Sequence, residues 1–396
     1  MNQDRLYEEI TSGDSFFRTF FKVLKEGRQT GSVANVFITG VLPITIEDLT
    51  SSYNIGTFLT LGSSFEHMLG FTQTEVNSLI DTIYQDYGID PSTRKLVDEV
   101  IKSQYNGYHF VNTNIDAVYN PTMLMSFLRE FCDQKIIPKN LTDLNLRTDL
   151  SWVKRITNRP ENTEEILTDL IRSNTIPYDE EYLVSKFNKN QFFNRNYYPI
   201  SLFYLGMLTR KDEFMLELPN LSMRKIFTEY YNELLHIDVS TRYASMMQKF
   251  IHNPNLEQLF TDYWELYIRQ FPEAIFTSVN ENFYRTTFYE LCSRYLSTWF
   301  TWNVERSYPE GRSDLEFVGK YHEGFAGLRL VIQFKYLSNT EFSRMKEKLE
   351  DFKMRKEDTI QIEGYAKGLI QENPEAHIRL FVIYCIGNTG FKIFGI

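Results

Sequence analysis

Residues 311–337 read GRSDLEFVGKYHEGFAGLRLVIQFKYL, and the second half of this stretch decides the fold. From Leu328 onward the residues alternate as in a strand, with Leu328, Leu330, Ile332 and Phe334 on one face and Arg329, Val331, Gln333 and Lys335 on the other. Packing alone gives a buried sheet no use for Gln and Lys. The first half predicts a partner strand over 312–319, and Gly319, Gly324 and Gly327 allow a short reversal that sets Asp314 beside Gln333 and Lys335. Three polar groups then converge. A carboxylate with a second oxygen ligand suits Mg²⁺, which takes few protein ligands and keeps waters for phosphate chemistry. An ammonium alongside can hold an attacking water and neutralise charge on phosphoryl oxygens.

Working outward, the periodicity predicts a helix over 280–299 (ENFYRTTFYELCSRYLSTW) and strands at 300–306, 312–319 and 328–336. A long charged helix over 341–371 and a β-rich tail, HIRLFVIYCIG and FKIFGI, complete the pattern. Helix, three strands, helix and two strands make an α/β or α+β domain of about 120 residues, residues 276–396.

This block resembles the PD-(D/E)XK nuclease superfamily, because Gly311-Arg312-Ser313-Asp314 is followed by Gln333-Phe334-Lys335 in the family's order and spacing. The resemblance implies a restriction-endonuclease-like α/β core that hydrolyses phosphodiesters of nucleic acid, DNA being the expected polymer, with Mg²⁺ or Mn²⁺ as cofactor. It also implies a metal-proximal Glu on the preceding helix. Glu290 in TTFYELCSRY matches by position and ranks ahead of Glu305 in NVERS. In the following helix QIEGYA supplies Gln361 and Tyr365 at i and i+4, similar to the Q-x-x-x-Y motif of the branch related to helicase-linked nucleases. The implied roles are metal ligation by Asp314, Gln333 and Glu290, water orientation by Lys335, and phosphate contact or support by Arg312, Gln361 and Tyr365. One position departs from the pattern. Most members carry Glu where this chain has Gln333, and a neutral amide oxygen binds Mg²⁺ more weakly than a carboxylate. The departure keeps a second class of function open: a nuclease-fold protein that binds nucleic acid or a protein partner without cleaving.

The N-terminal part carries a second resemblance. FFRTFFKVLKEG, NVFITGVLPITIEDLTSSYN, LGFTQTEV, QYNGYHF and VYNPTMLMSFL, spanning about 14–131, look like the AAA-ATPase-like domain that commonly precedes this nuclease type in bacteria. The expected elements are a helix over 12–26, a buried strand NVFITGV at 35–41, and helices at 72–87, 91–106 and 121–131, the first of these opened by a Thr72/Glu75 capping box. No G-x-x-x-x-G-K-[ST] occurs in the sequence, so phosphates would lack a cradle and no ATP hydrolysis is expected. The domain therefore looks N-terminally truncated. A strand apolar on both faces needs covering, which predicts a residual apolar patch and a homo-oligomer or protein partner.

Three regions follow: 1–135, the truncated ATPase-like remnant with a helical lid; 136–275, helical by period; and 276–396, the nuclease-like domain. The whole reads as a mixed, helix-rich α/β protein. With 396 residues, 42% of them hydrophobic, the chain is long enough and apolar enough to fold throughout. The net charge of −10 opposes a general nucleic-acid-binding surface, but residues 301–396 carry 14 Lys+Arg and 14 Asp+Glu, so the excess lies entirely in 1–300. Cys132, Cys292 and Cys385 stand far apart with no metal spacing, which points to a reducing compartment, the cytoplasm. No membrane segment is expected.

Overall fold

The computed structural model describes residues 9, 15–40, 59, 61–142, 163–184, 189–192, 194–239, 242–305, 307–308 and 311–396. Helices α1 (Phe16–Gln29), α2 (Gln73–Tyr87), α3 (Arg94–Tyr105) and α4 (Pro121–Gln134) come first. At α2 the Thr72/Glu75 capping box forms as its sequence signature predicts, and Asn120 caps α4, whose first residue is Pro121. The strand expected at 35–41 is not found: residues 33–40 are irregular, and Val36, Phe37 and Ile38 are exposed. A strand needs a hydrogen-bonding neighbour, and among the described residues none pairs with this segment. Residue 41 of that strand, and the turn and helix start expected at 42–49, lie outside the described residues. Of the phenylalanines of α1 only Phe21 is buried, while Phe16, Phe17 and Phe20 face outward.

The middle of the chain holds α5 (Thr163–Ser173), β1 (Thr175–Pro177), α6 (Glu180–Val184), α7 (Lys189–Phe192), α8 (Tyr198–Tyr204), β2 (Thr209–Arg210), β3 (Met215–Glu217), α9 (Leu221–Leu234), α10 (Arg242–His252) and α11 (Leu256–Leu266). The helical reading holds for most of it. It missed a small antiparallel sheet of order β1-β3-β2, whose strands of two or three residues are too short to show a period.

The C-terminal block runs α12 (Glu281–Leu296), β4 (Phe300–Val304), the short pair β5 (Ser307–Tyr308) and β6 (Gly311–Arg312), β7 (Leu315–Gly319), β8 (Leu328–Leu337), α13 (Asn339–Met345), α14 (Lys356–Glu372), β9 (His377–Ile386) and β10 (Gly390–Gly395). Its five-stranded sheet has the order β10-β9-β8-β7-β4. Only β8 and β9 are parallel, and the crossover that parallel pairing requires is made by α13 and α14. The alternation of β8 sorts its faces: Leu328, Leu330, Ile332 and Phe334 join the main core with α11 and α12, whereas Val331 and Leu337 join a second cluster under α14. The sheet is thus covered by helices on both sides.

The helix expected over 341–371 is two helices. Lys346 adopts a left-handed backbone (φ 54°) and ends α13, and Phe342 and Phe352 both turn inward onto the cluster beneath α14. One straight helix could not bury both against the same sheet face and still return antiparallel to β8.

Candidate functional site

Asp314 is the residue before β7. Leu315 pairs with Ile332 in the antiparallel ladder, so Asp314 lies opposite Gln333. Its Oδ2 accepts hydrogen bonds from Gln333 Nε2 at 2.6 Å and from the Phe334 backbone N–H at 2.7 Å. Its Oδ1 lies 3.5 Å from Nη1 of Arg285 on α12. Burial pushes the Asp314 carboxyl up to about 6, against the pull of Arg285, the Phe334 N–H and Lys335.

Gln333 is only 6% exposed and its Oε1 has no hydrogen-bond partner. The amide nitrogen must be the group that faces Asp314, since two oxygens would repel, so the carbonyl oxygen of the same planar amide keeps its lone pairs unused. A buried acceptor left this way costs roughly 1–3 kcal/mol unless a water or a cation meets it.

Two residues along β8, Lys335 Nζ donates to Gln361 Oε1 at 2.9 Å and lies 3.0 Å from Asp358 Oδ1, both on α14. The Tyr384 hydroxyl on β9 donates to Asp358 and accepts from the Arg355 N–H, so Asp358 is fixed from behind. Tyr365 is fully buried, its hydroxyl against the Gln361 side chain and the Arg312 backbone. The order Asp314, Gln333, Lys335, Gln361 and Tyr365 read along the sequence is therefore one connected set in space. Tyr365 therefore has no exposed surface with which to touch a ligand, contrary to the phosphate contact expected of it.

Glu290 does not join this set. It is 0% exposed on the opposite side of α12, where Arg294 pairs with it and Asn232 Nδ2 donates to its Oε2 at 3.3 Å. Five residues separate Glu290 from Arg285, and that offset turns it toward α9 rather than the sheet. Glu305, the lower-ranked carboxylate, is the one beside Asp314: its backbone N–H donates to the Asp314 carbonyl at 3.1 Å. Its side chain meets Arg224 at 2.6 Å, Arg285 at 3.1 Å and Arg312 at 3.2 Å. Burial works to raise its carboxyl, but these three guanidiniums hold it at about 2. Asp358 and Arg285 were missed in the sequence. The signal for Asp358 was its position three residues before Gln361, on the same helical face; nothing local in the sequence distinguishes Arg285.

Burial raises the Glu290 carboxyl from 4.5 to about 7, against the attraction of Arg294. The native state therefore holds a proton that the unfolded chain has released, and this contribution to stability is lost as the pH rises from about 5 through 7. The size is roughly 3 kcal/mol at 1.36 kcal/mol per unit. Glu290→Gln is expected to flatten that slope, read as the difference in urea unfolding free energy between pH 5 and pH 7, and to leave metal binding unchanged. A variant with the wild-type slope would place the titration elsewhere.

Among the described residues no cluster of three or more His, Cys, Asp or Glu could hold a metal ion. Asp314 with the idle Gln333 oxygen nevertheless fits Mg²⁺ or Mn²⁺, hard cations that accept one carboxylate, a neutral oxygen and several waters. No helix of the described residues is long and apolar enough to cross a membrane. No curated protein and no solved structure matches the chain. Residues 279–394, from two residues before α12 into β10, match the family model of the PD-(D/E)XK nuclease superfamily, the family that Asp314, Gln333 and Lys335 resemble.

Proposed function

We propose that residues 279–394 hydrolyse phosphodiester bonds of nucleic acid, with Asp314 and Gln333 holding Mg²⁺ or Mn²⁺ and Lys335 orienting the attacking water. The observation that carries this reading is the buried, unpartnered Gln333 Oε1 beside the Asp314 carboxylate. A cation bound there would polarise a phosphoryl oxygen and acidify a bound water. Lys335, tethered by Asp358 and Gln361, keeps its ammonium in one place and contributes fixed positive charge where the phosphorane would become more negative. Arg312, 57% exposed in its side chain, is at the rim and suited to a flanking phosphate. DNA is the proposed polymer and the cytoplasm the proposed compartment, where free thiols persist. Residues 14–131 remain in this reading a remnant of an ATPase-like domain, to which no ATP hydrolysis is assigned.

Gln333→Glu tests the ligand role. Replacing a neutral oxygen by a carboxylate should retain or increase cleavage and lower the Mg²⁺ concentration for half-maximal nicking of plasmid DNA by about tenfold. Complete loss of activity in that variant, with an active wild type, would mean that Gln333 serves another purpose. The contact of Arg285 with Asp314 favours a second reading, binding without hydrolysis, because a cation already neutralises the carboxylate. Duplex binding in a gel-shift assay with no cleavage in Mg²⁺ or Mn²⁺ would select it.

A further inference from the structure

Three guanidiniums from three elements converge on one carboxylate. Arg224 of α9 lies 2.6 Å from Glu305 Oε2, and Arg285 of α12 and Arg312 of β6 lie 3.1 Å and 3.2 Å from its Oε1. Among the described residues the other carboxylate within ion-pair distance of these arginines is Asp314, 3.5 Å from Arg285. Cations therefore outnumber anions. Donors are in surplus as well, because Nη1 of Arg224 and Nε of Arg285 are buried and have no hydrogen-bond partner. A carboxylate offers two oxygens, whereas a phosphate offers more oxygens to the same planar donors. We infer that Arg224, Arg285 and Arg312 form a phosphate subsite next to Asp314, and that the Glu305 carboxylate is its built-in plug, displaced when a phosphate group of nucleic acid binds. That the phosphate belongs to nucleic acid rests on the reading of this domain as a nuclease.

The cluster has a buried floor and an open rim. The side chains of Arg224 and Arg285 are 11% and 6% exposed, against 22% for Glu305 and 57% for Arg312, so the cluster meets solvent at the plug and at Arg312. Glu305 is held in a left-handed backbone (φ 56°), uncommon for a residue with a side chain and kept only while its contacts hold it. Burial works to raise its carboxyl, yet the guanidiniums hold it at about 2, so a full negative charge is favoured at that position. Glu217 of β3 acts on Arg224 from further out, and the like charge that acts on Asp314 is Glu281, at the start of α12. Arg285 reaches Glu305 and Asp314 through different nitrogens. The phosphate held here is therefore a neighbour of the one under attack, and its contacts position the strand without reading its sequence.

The test needs neither metal nor cleavage and uses the full chain in EDTA. Glu305→Gln keeps the shape of the plug and removes its charge. It is expected to melt below wild type in sodium chloride and to regain most of that loss in sodium phosphate of equal ionic strength, whereas wild type responds far less to the exchange. An equal response of the two proteins, or none in the variant, would overturn the plug. Folding of Glu305→Gln in phosphate alone would support it, and if the variant folds in neither salt the same comparison on Glu305→Asp, whose carboxylate is withdrawn by one methylene, decides. Fluorescence anisotropy with a labelled DNA duplex should show Glu305→Gln binding about tenfold more tightly than wild type, and adding Arg312→Gln should remove most of that gain. Glu357→Gln, which removes an exposed carboxylate of α14, should stay near wild type. Unchanged binding in Glu305→Gln, or an equal gain in Glu357→Gln, would overturn the nucleic-acid assignment. A gain confined to a 5′-phosphorylated duplex would identify the occupant as a terminal phosphate, and an equal gain with a 5′-hydroxyl duplex as a backbone phosphate. A wild type inactive in Mg²⁺ and Mn²⁺ would overturn hydrolysis without altering any of these outcomes.

Discussion

Asp314→Asn is expected to lower metal-dependent cleavage at least ~10³-fold while leaving the fold intact. The substitution removes the negative charge that lies opposite Gln333 but keeps an oxygen able to accept the Phe334 N–H. Arg285 loses one of its two carboxylates and retains Glu305, so no guanidinium is stranded. A metal-centred contribution of several kcal/mol, at 1.36 kcal/mol per decade, sets the expected loss. Nicking of supercoiled plasmid in Mg²⁺ and in Mn²⁺ measures it, with near-ultraviolet circular dichroism as the control on folding. A residual rate within tenfold of wild type would move the chemistry to another carboxylate, and Asp358, fixed between Lys335 and Tyr384, would be the next to test.

Gly107→Ala is expected to destabilise the chain by at least ~3 kcal/mol, through two causes that act together. Gly107 sits at φ 107°, where a side chain is strained, and a Cβ there would lie 2.0 Å from the Pro219 carbonyl oxygen. The strain alone is worth about 1 kcal/mol. The rest comes from displacing a segment bound on both sides: Asn220 Nδ2 donates to the Asn106 carbonyl at 3.0 Å, and the His109 N–H donates to Thr209 Oγ1 at 2.7 Å. Gly88 is the control, since its φ is also positive (59°) but no atom would meet its Cβ. Gly88→Ala should therefore cost about 1 kcal/mol. Thermal melting of both variants is expected to show Gly107→Ala lower by on the order of 5–10 °C and Gly88→Ala by a fraction of that. Equal shifts would show that the contact with Pro219 relaxes freely.

Features that act over a few residues were legible before any coordinates. The Thr72/Glu75 capping box, the Asn120-Pro121 helix start and the two-faced alternation of β8 are set by neighbours within one turn or one pleat, and each formed where the sequence placed it. Asp314, Gln333 and Lys335 belong with them, because a hairpin with a short reversal leaves few registers and the apolar face of β8 selects among those. The strand expected at 35–41 failed for the opposite reason: its apolar residues state a preference, but a strand exists only with a partner, and residues 35–40 have none among those described.

The surroundings of the site required the tertiary structure. Along the chain Glu290 ranked ahead of Glu305, and the phase of α12 relative to the sheet reversed that order, burying Glu290 against Arg294 and leaving Glu305 beside Asp314. Asp358 reached Lys335 because the expected long helix broke at Lys346 and resumed as α14. Arg285 met Asp314 by the same packing of α12. By itself the sequence determined the succession of the five main strands of the C-terminal block, the polar face of β8 and the pairing of Asp314 with Gln333, which follow from periodicity and short-range closure. Only the folded chain decided which charges surround that pair, because Arg224, Arg285, Glu305 and Asp358 come from segments whose relative rotation is fixed by packing of the whole core and leaves no local trace in the sequence.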